Sequence, residues 1–120
     1  MEEKRHYAVV DKYNRKLTIK YKGEVIAETA DALILKEVGK SVYNPVFYLP
    51  KESVSLKLEA EADRQSHCPI KGDASYWNVA GEFTPNYFAW SYEEALPPTK
   101  KIEGRIAFNM EYVTLISEPL

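Results

Sequence analysis

The sequence predicts an all-β protein, two antiparallel sheets packed face to face in a sandwich-like domain. Three observations lead there. Apolar and polar residues alternate with period two through short runs such as Leu17-Thr18-Ile19-Lys20-Tyr21. Turn-forming residues recur about every 8 to 12 positions, as in sandwiches. No stretch sustains the 3.6-residue periodicity of a long helix, so only one or two short helical turns are expected.

The elements follow in chain order. Residues 1–6 are charged and expected to be mobile, Tyr7 to Val10 can add an edge strand, and Asp11 to Arg15 reads as a polar turn. Residues 1–16 are therefore read as an N-terminal extension and 17–120 as one β domain. Lys22-Gly23 turns the chain, and Glu24 to Glu28 returns as the second strand of a hairpin. In Ala32 to Val38, Leu, Ala, Lys and Glu favour helix, but the segment is short and Gly39 closes it, so strand is the reading.

Val46-Phe47-Tyr48-Leu49, bounded by Pro45 and Pro50, is an aromatic, β-branched strand, and Pro50 to Ser53 begins a helical turn. Val54 to Glu59 alternates strictly and reads as strand, whereas Ala60 to Ser66 is polar and reads as a connection. Ala74 to Ala80 and Asn86 to Tyr92 are expected to pair as antiparallel strands across Gly81 to Pro85. Glu93 to Lys101 loops out with one helical turn before Gly104. Arg105 to Phe108 and Tyr112 to Ile116 then read as a last hairpin.

At 120 residues, with 45% hydrophobic content, the chain suits one domain with a core of its own. Its net charge of -2 gives no electrostatic reason to expect nucleic acid. The nearest basic patch, Arg15, Lys16, Lys20 and Lys22, is diluted by Asp11 and Glu24 and reads as a solvated strand face. Cys68 is the only cysteine, which excludes an intramolecular disulfide, and one Cys with two His is too few for the usual four-ligand structural zinc site. The first residues carry no apolar signal segment and no run reaches membrane-spanning length, so no membrane association and a cytoplasmic, reducing setting are expected.

Chemistry-bearing residues concentrate between His67 and Tyr92. His67, Cys68, Lys71 and Asp73 stand close in sequence, followed by two strand-like runs that carry both tryptophans. On alternation, Asn86, Phe88, Trp90 and Tyr92 share one face, as do Ser75, Trp77 and Val79. This aromatic face is either core or one wall of a pocket that stacks on a flat ligand. Lys71 beside Gly72 either meets a bound anion or is a solvated lysine in a turn that Asp73 caps. A lysine against apolar walls can also act as a nucleophile. Cys68 reads most simply as a small buried hydrophobe, and His67 as a structural donor to a backbone carbonyl.

The run His67-Cys68-Pro69-Ile70-Lys71-Gly72-Asp73-Ala74-Ser75-Tyr76-Trp77 resembles the Cys-Pro-x-Lys-Gly-x-Ala-x-Tyr-Trp motif of domain-of-unknown-function family 427, which also carries a nucleotidyltransferase-like name. The resemblance continues through Gly23 to Ala27, Pro45 to Pro50, Ala89 to Tyr92, Leu96-Pro97 and Ile102 to Phe108, covering roughly residues 17 to 116. It implies a small, mostly β single domain of β-tent shape, in which two antiparallel sheets meet at a steep angle. The family's recurring residues fall on Tyr48, Cys68, Lys71, Gly72, Tyr76, Trp77, Trp90, Tyr92, Gly104 and Phe108. The extension through about Lys16 departs from the family's shorter pattern. No paired metal-binding carboxylates of the kind that nucleotidyl transfer uses stand out.

The first functional expectation is a binding module. Tyr48, Lys71, Tyr76, Trp77, Trp90 and Tyr92 would form an aromatic-lined pocket for a small anionic or nucleotide-like ligand, with Lys71 and His67 at its mouth. The alternative is a group-transfer enzyme in the same pocket, with Lys71 as nucleophile or phosphate-binding group and Cys68, His67 or Asp73 assisting. A third reading is a domain that binds a protein partner through an exposed sheet edge. No cofactor and no metal are expected.

Overall fold

Alternating runs become strands where one face can be buried, and the computed structural model, which describes residues 6–120, contains ten of them among those residues. They are β1 (Tyr7–Tyr13), β2 (Lys16–Tyr21), β3 (Glu24–Thr29), β4 (Ala32–Val38), β5 (Val46–Tyr48), β6 (Leu58–Cys68), β7 (Gly72–Val79), β8 (Ala89–Ser91), β9 (Ile106–Phe108) and β10 (Thr114–Glu118). Every pairing is antiparallel, and the mainly-β class is the one the sequence predicts. The expected mobility of residues 1–6 concerns, for 1–5, residues outside the described ones.

The strands hydrogen-bond in three groups: β1-β4-β5, β10-β2-β3 and β6-β7-β8-β9. A bridge between Leu49 and Ile106 ties the end of β5 to β9, and one between Ala27 and Val54 ties β3 to the chain after β5. The β2–β3 hairpin turns through Lys22 (φ 52°) and Gly23 (φ 82°), two consecutive left-handed residues that match the twist of a two-residue hairpin. Lys51–Ser53 and Pro97–Ile102 form the two short helical turns, both of 3-10 type.

Several expectations are corrected. Asp11 to Tyr13 are not a turn: they pair with Ile34, Leu33 and Ala32 and continue β1, where Tyr13 meets Phe47 edge-on at 4.9 Å. Ala60 to Ser66 belong to the eleven-residue β6. Its side chains are half-buried or exposed along the whole strand, so no apolar alternation marked it. Conversely, only Val54, of the residues before Leu58, makes a ladder contact, and it does so as an isolated bridge. Finally, β9 and β10 do not pair with each other. β9 lies on β8 and β10 crosses to β2, where Leu115 stands opposite Ile19.

The interior divides into two clusters. Leu17, Ile19, Ile26, Leu49, Val79, Phe88, Ile106 and Phe108 are among the buried members of the first. Leu35, Tyr48, Ala74, Tyr92, Ala95, Ile102 and Ala107 form the second. On β9 the alternation is visible directly, since Ile106 and Phe108 enter the first cluster and Ala107 the second. At β8 and β9 the third sheet is thus buried against apolar residues on both faces. Phe88, Trp90 and Tyr92 do not share a face as alternation predicts, because the ladder is regular only over Ala89–Ser91: Phe88 joins the first cluster, Trp90 and Tyr92 the second.

Candidate functional site

The buried members of the second cluster include two phenols, Tyr48 and Tyr92, whereas those of the first are all hydrocarbon. Glu37 ends the inward phase of β4: Leu33, Leu35 and Glu37 alternate on one side, and Leu35 is fully buried. Its carboxylate accepts from Lys71 Nζ through Oε1 at 2.6 Å, and its Oε2 lies 2.8 Å from His6 Nε2. The side chains of Lys71 and Glu37 are only 13% and 11% exposed, so this is a nearly desolvated ion pair. Lys71 also lies over the Tyr92 ring, 5.6 Å from its centroid.

Around the pair, Trp90 Nε1 donates to Tyr48 Oη at 3.2 Å, and Cys68 packs against the same cluster. Burial alone would raise the Glu37 pKa, but the hydrogen bonds from His6 and Lys71 outweigh it and hold the carboxyl below its ordinary value. Burial would likewise lower the pKa of Lys71, yet the bond to Glu37 raises it. Lys71 is therefore held as an ammonium. Burial is also the main reason the Tyr48 and Tyr92 phenols stay neutral well above the ordinary value of 10.

The backbone here is fixed by the turn after β6. Lys71 N–H donates to the Cys68 carbonyl, and Lys71 O accepts from Leu96 N–H at 3.1 Å. Gly72 has φ 106°, and a Cβ there would stand 3.0 Å from the Glu94 carbonyl oxygen. The glycine thus makes room for the 93–96 segment of this chain, where the sequence reading gave that approach to an anion. The buried Thr99 hydroxyl donates to the Ile70 carbonyl at 3.0 Å and pins the Pro97–Ile102 turn over the same loop.

The predicted residues separate into four places. Tyr48, Cys68, Lys71, Trp90 and Tyr92 come together. His67 and Asp73 stand opposite each other on β6 and β7 and pair Nδ1 to Oδ1 at 2.7 Å, out in solvent at 64% and 82% exposure. His67 binds a carboxylate where a backbone carbonyl was expected, and Lys71 is buried where a solvated lysine was the simpler reading. Tyr76 lies across from Trp90 and packs at 4.5 Å on Tyr87, with Arg64 over both tyrosine rings. Trp77 belongs to the first cluster, donating to Ser91 Oγ at 3.0 Å beneath Lys51.

Glu37 and His6 are the residues that sequence reasoning missed. Glu37 had a signal, a carboxylate in the apolar phase of a strand; His6 had none, since it reaches the site from the chain before β1.

Beside Trp90 a groove of about 250 Å³ opens between strands, walled by Ile19, Phe47, Leu49, Trp90, Phe108 and Leu115. None of the residues lining it is charged, and neither Lys71 nor His67 is among them.

The chain belongs to the family described as a domain of unknown function, DUF427, also named NTP_transf_9, whose sequence model matches residues 9–118. Glu37, Tyr48, Cys68, Lys71, Trp90 and Tyr92 fall within the matched span and His6 precedes it. A comparison with curated proteins finds no match.

Proposed function

We propose that the protein is a small-molecule binding module whose groove beside Trp90 takes a flat ring of about nucleobase size. The observation that carries this reading is the groove itself. It is apolar and aromatic, with Phe47, Trp90 and Phe108 in its walls, and the Trp90 ring is held by its bond to Tyr48. Aromatic walls favour flat ligands through stacking, and a fixed wall loses little entropy on binding. A nucleobase also fits the nucleotide in the family's second name.

Lys71 does not serve this ligand as an anion receptor. Its charge is offset by Glu37, and it lies outside the groove lining. The same pairing weighs against the group-transfer alternative with Lys71 as nucleophile, because a protonated amine has no lone pair to attack with. We therefore rank the binding module ahead of the enzyme.

The test is a fluorescence titration of the Trp77→Phe variant, which leaves Trp90 as the only tryptophan. Adenosine, guanosine, uridine and their monophosphates serve as probes. A saturable change with at least one, weakened about tenfold or more in Phe47→Ala, supports the reading. A folded Trp77→Phe protein that responds to none of them would sink it. Covalent mass on Lys71 after incubation with nucleoside triphosphates would instead favour the enzyme.

A further inference from the structure

We propose that His6, Glu37 and Cys68 together bind one divalent transition-metal ion of zinc type, leaving its fourth coordination position open. The three residues come from separate segments: the residue before β1, the inward phase of β4 and the end of β6. Yet one ligand atom from each lies within 4.8 Å of the others, and all three residues are half-buried. Imidazole, carboxylate and thiolate form a mixed N, O and S set, which suits zinc and cobalt far better than magnesium or calcium.

The geometry needs little rearrangement. Around a tetrahedral zinc with bonds of about 2.0 to 2.3 Å, neighbouring ligand atoms stand roughly 3.3 to 3.6 Å apart. His6 Nε2 and Glu37 Oε2 are 2.8 Å apart, so they open by about half an ångström as the metal replaces the hydrogen bond between them. Cys68 Sγ lies within 4.8 Å of one ligand atom of each partner and closes on those atoms by roughly 1.3 Å or less, which its χ1 rotation can supply.

The surroundings already orient the ligands. Lys71 occupies Oε1 of Glu37 at 2.6 Å and leaves Oε2 for the metal, the usual arrangement for a ligating carboxylate fixed by a second partner. Gly39 makes room for the imidazole: a Cβ there would stand 3.3 Å from His6 Cδ2 and 3.2 Å from the Tyr43 ring. Charge balances well. The doubly charged ion meets the Glu37 carboxylate and the Cys68 thiolate, His6 binds neutral, and the Cys68 proton leaves to solvent. The Lys71 ammonium remains as the single excess charge. Three protein ligands plus one open position is the pattern of zinc sites that bind water or a substrate, and counting Cys and His alone misses it because it omits carboxylates.

The site is distinct from the groove beside Trp90, so either proposal can fail without the other. The experiment is a Co²⁺ titration of the reduced full-length protein followed by absorbance, then displacement by Zn²⁺ in competition with a chromophoric chelator. The expected result is one Co²⁺ per chain, with a thiolate charge-transfer band and the strong visible bands of tetrahedral cobalt. Cys68→Ser removes the charge-transfer band, His6→Ala weakens Zn²⁺ binding at least about tenfold, and His67→Ala changes neither. Circular dichroism confirms that each variant is folded. The proposal is overturned if Co²⁺ gives no thiolate band, or if His6→Ala binds Zn²⁺ as tightly as the parent.

Discussion

The cluster around Phe88 and the cluster around Tyr48 share one sheet, and their chemistry differs as much as two cores in a small domain can. Among the fully buried members of the first, every side chain is a hydrocarbon, and Phe88 makes aromatic contacts with Tyr21, Phe108 and Tyr112 between 4.9 and 6.2 Å. The second combines Leu35 and Ile102 with three alanines and two phenols, and it borders a Lys–Glu pair almost out of solvent. Hydrocarbon packing stabilises in proportion to area and asks nothing of its neighbours. A buried ion pair gives little net stability and demands every partner. A fold that keeps such a pair beside a dry core sets two kinds of interior against one sheet: a hydrocarbon region that also walls the groove beside Trp90, and a region that carries charge.

Truncation gives the largest effect expected from that difference. Phe88→Ala removes a ring that is 1% exposed and should destabilise the protein by about 3 to 5 kcal/mol in urea unfolding. Tyr48→Phe, which keeps the ring and deletes the acceptor for Trp90 Nε1, should cost only about 1 to 2 kcal/mol. Equal losses would erase the distinction between the clusters.

Next in size is the ion pair. Glu37→Gln or Lys71→Met alone leaves a nearly buried charge without its partner and should cost about 2 to 3 kcal/mol. The double replacement Glu37→Leu with Lys71→Met should recover most of that loss, because two apolar groups do not need each other. Additive losses in the double-mutant cycle would show that the two charges are not coupled through their contact.

Alkaline pH separates the clusters without mutation. Tyr48 and Tyr92 both have folded-state pKa values raised above 10, mainly by burial. Their contribution is fully present below pH 10 and is lost as pH rises above it, because the unfolded chain releases protons that the folded chain retains. Each can steepen the decline by at most about 1.4 kcal/mol per pH unit. Unfolding free energy measured between pH 9 and 11.5 should fall beyond pH 10, and Tyr48→Phe should flatten the slope. An unchanged slope would mean that the phenol ionises as readily in the folded state as in the unfolded one.

The same contrast explains what was legible in the sequence. An alternating run such as Leu17 to Tyr21 declares itself by its period, whereas Ala32 to Val38, with helix-favouring residues, reads as strand from its shortness and the closing Gly39. β6 did not, since neither of its faces is strongly buried, and its pairing is set by β7 across a register shift between Ala60 and Gln65. Lys71, Cys68 and Tyr92 could be nominated from one dense stretch. Tyr48, the partner of Trp90, enters only through the family resemblance, Glu37 comes from another strand and His6 from ahead of them all, and no local spacing encodes a meeting across 31 to 42 residues. The final hairpin failed for a related reason. β9 and β10 are adjacent in sequence, but β10 pairs with β2, where Leu115 stands opposite Ile19.

His67 and Asp73 give the smallest expected effect and the sharpest control. They lie in the same stretch as Cys68 and Lys71, and their hydrogen bond is as short as several in the interior. What differs is solvent: exposed charges interact through water and salt, and the entropy of fixing two side chains offsets most of the attraction. Replacing both with alanine should change stability by no more than about 0.5 kcal/mol, in urea unfolding at low and at physiological salt. It should leave both Trp90 fluorescence titrations and Co²⁺ spectra as they are in the parent. A loss of several kcal/mol, or of either binding signal, would place this solvent-facing pair in the working part of the molecule and move the boundary between the two regions onto the β6–β7 turn.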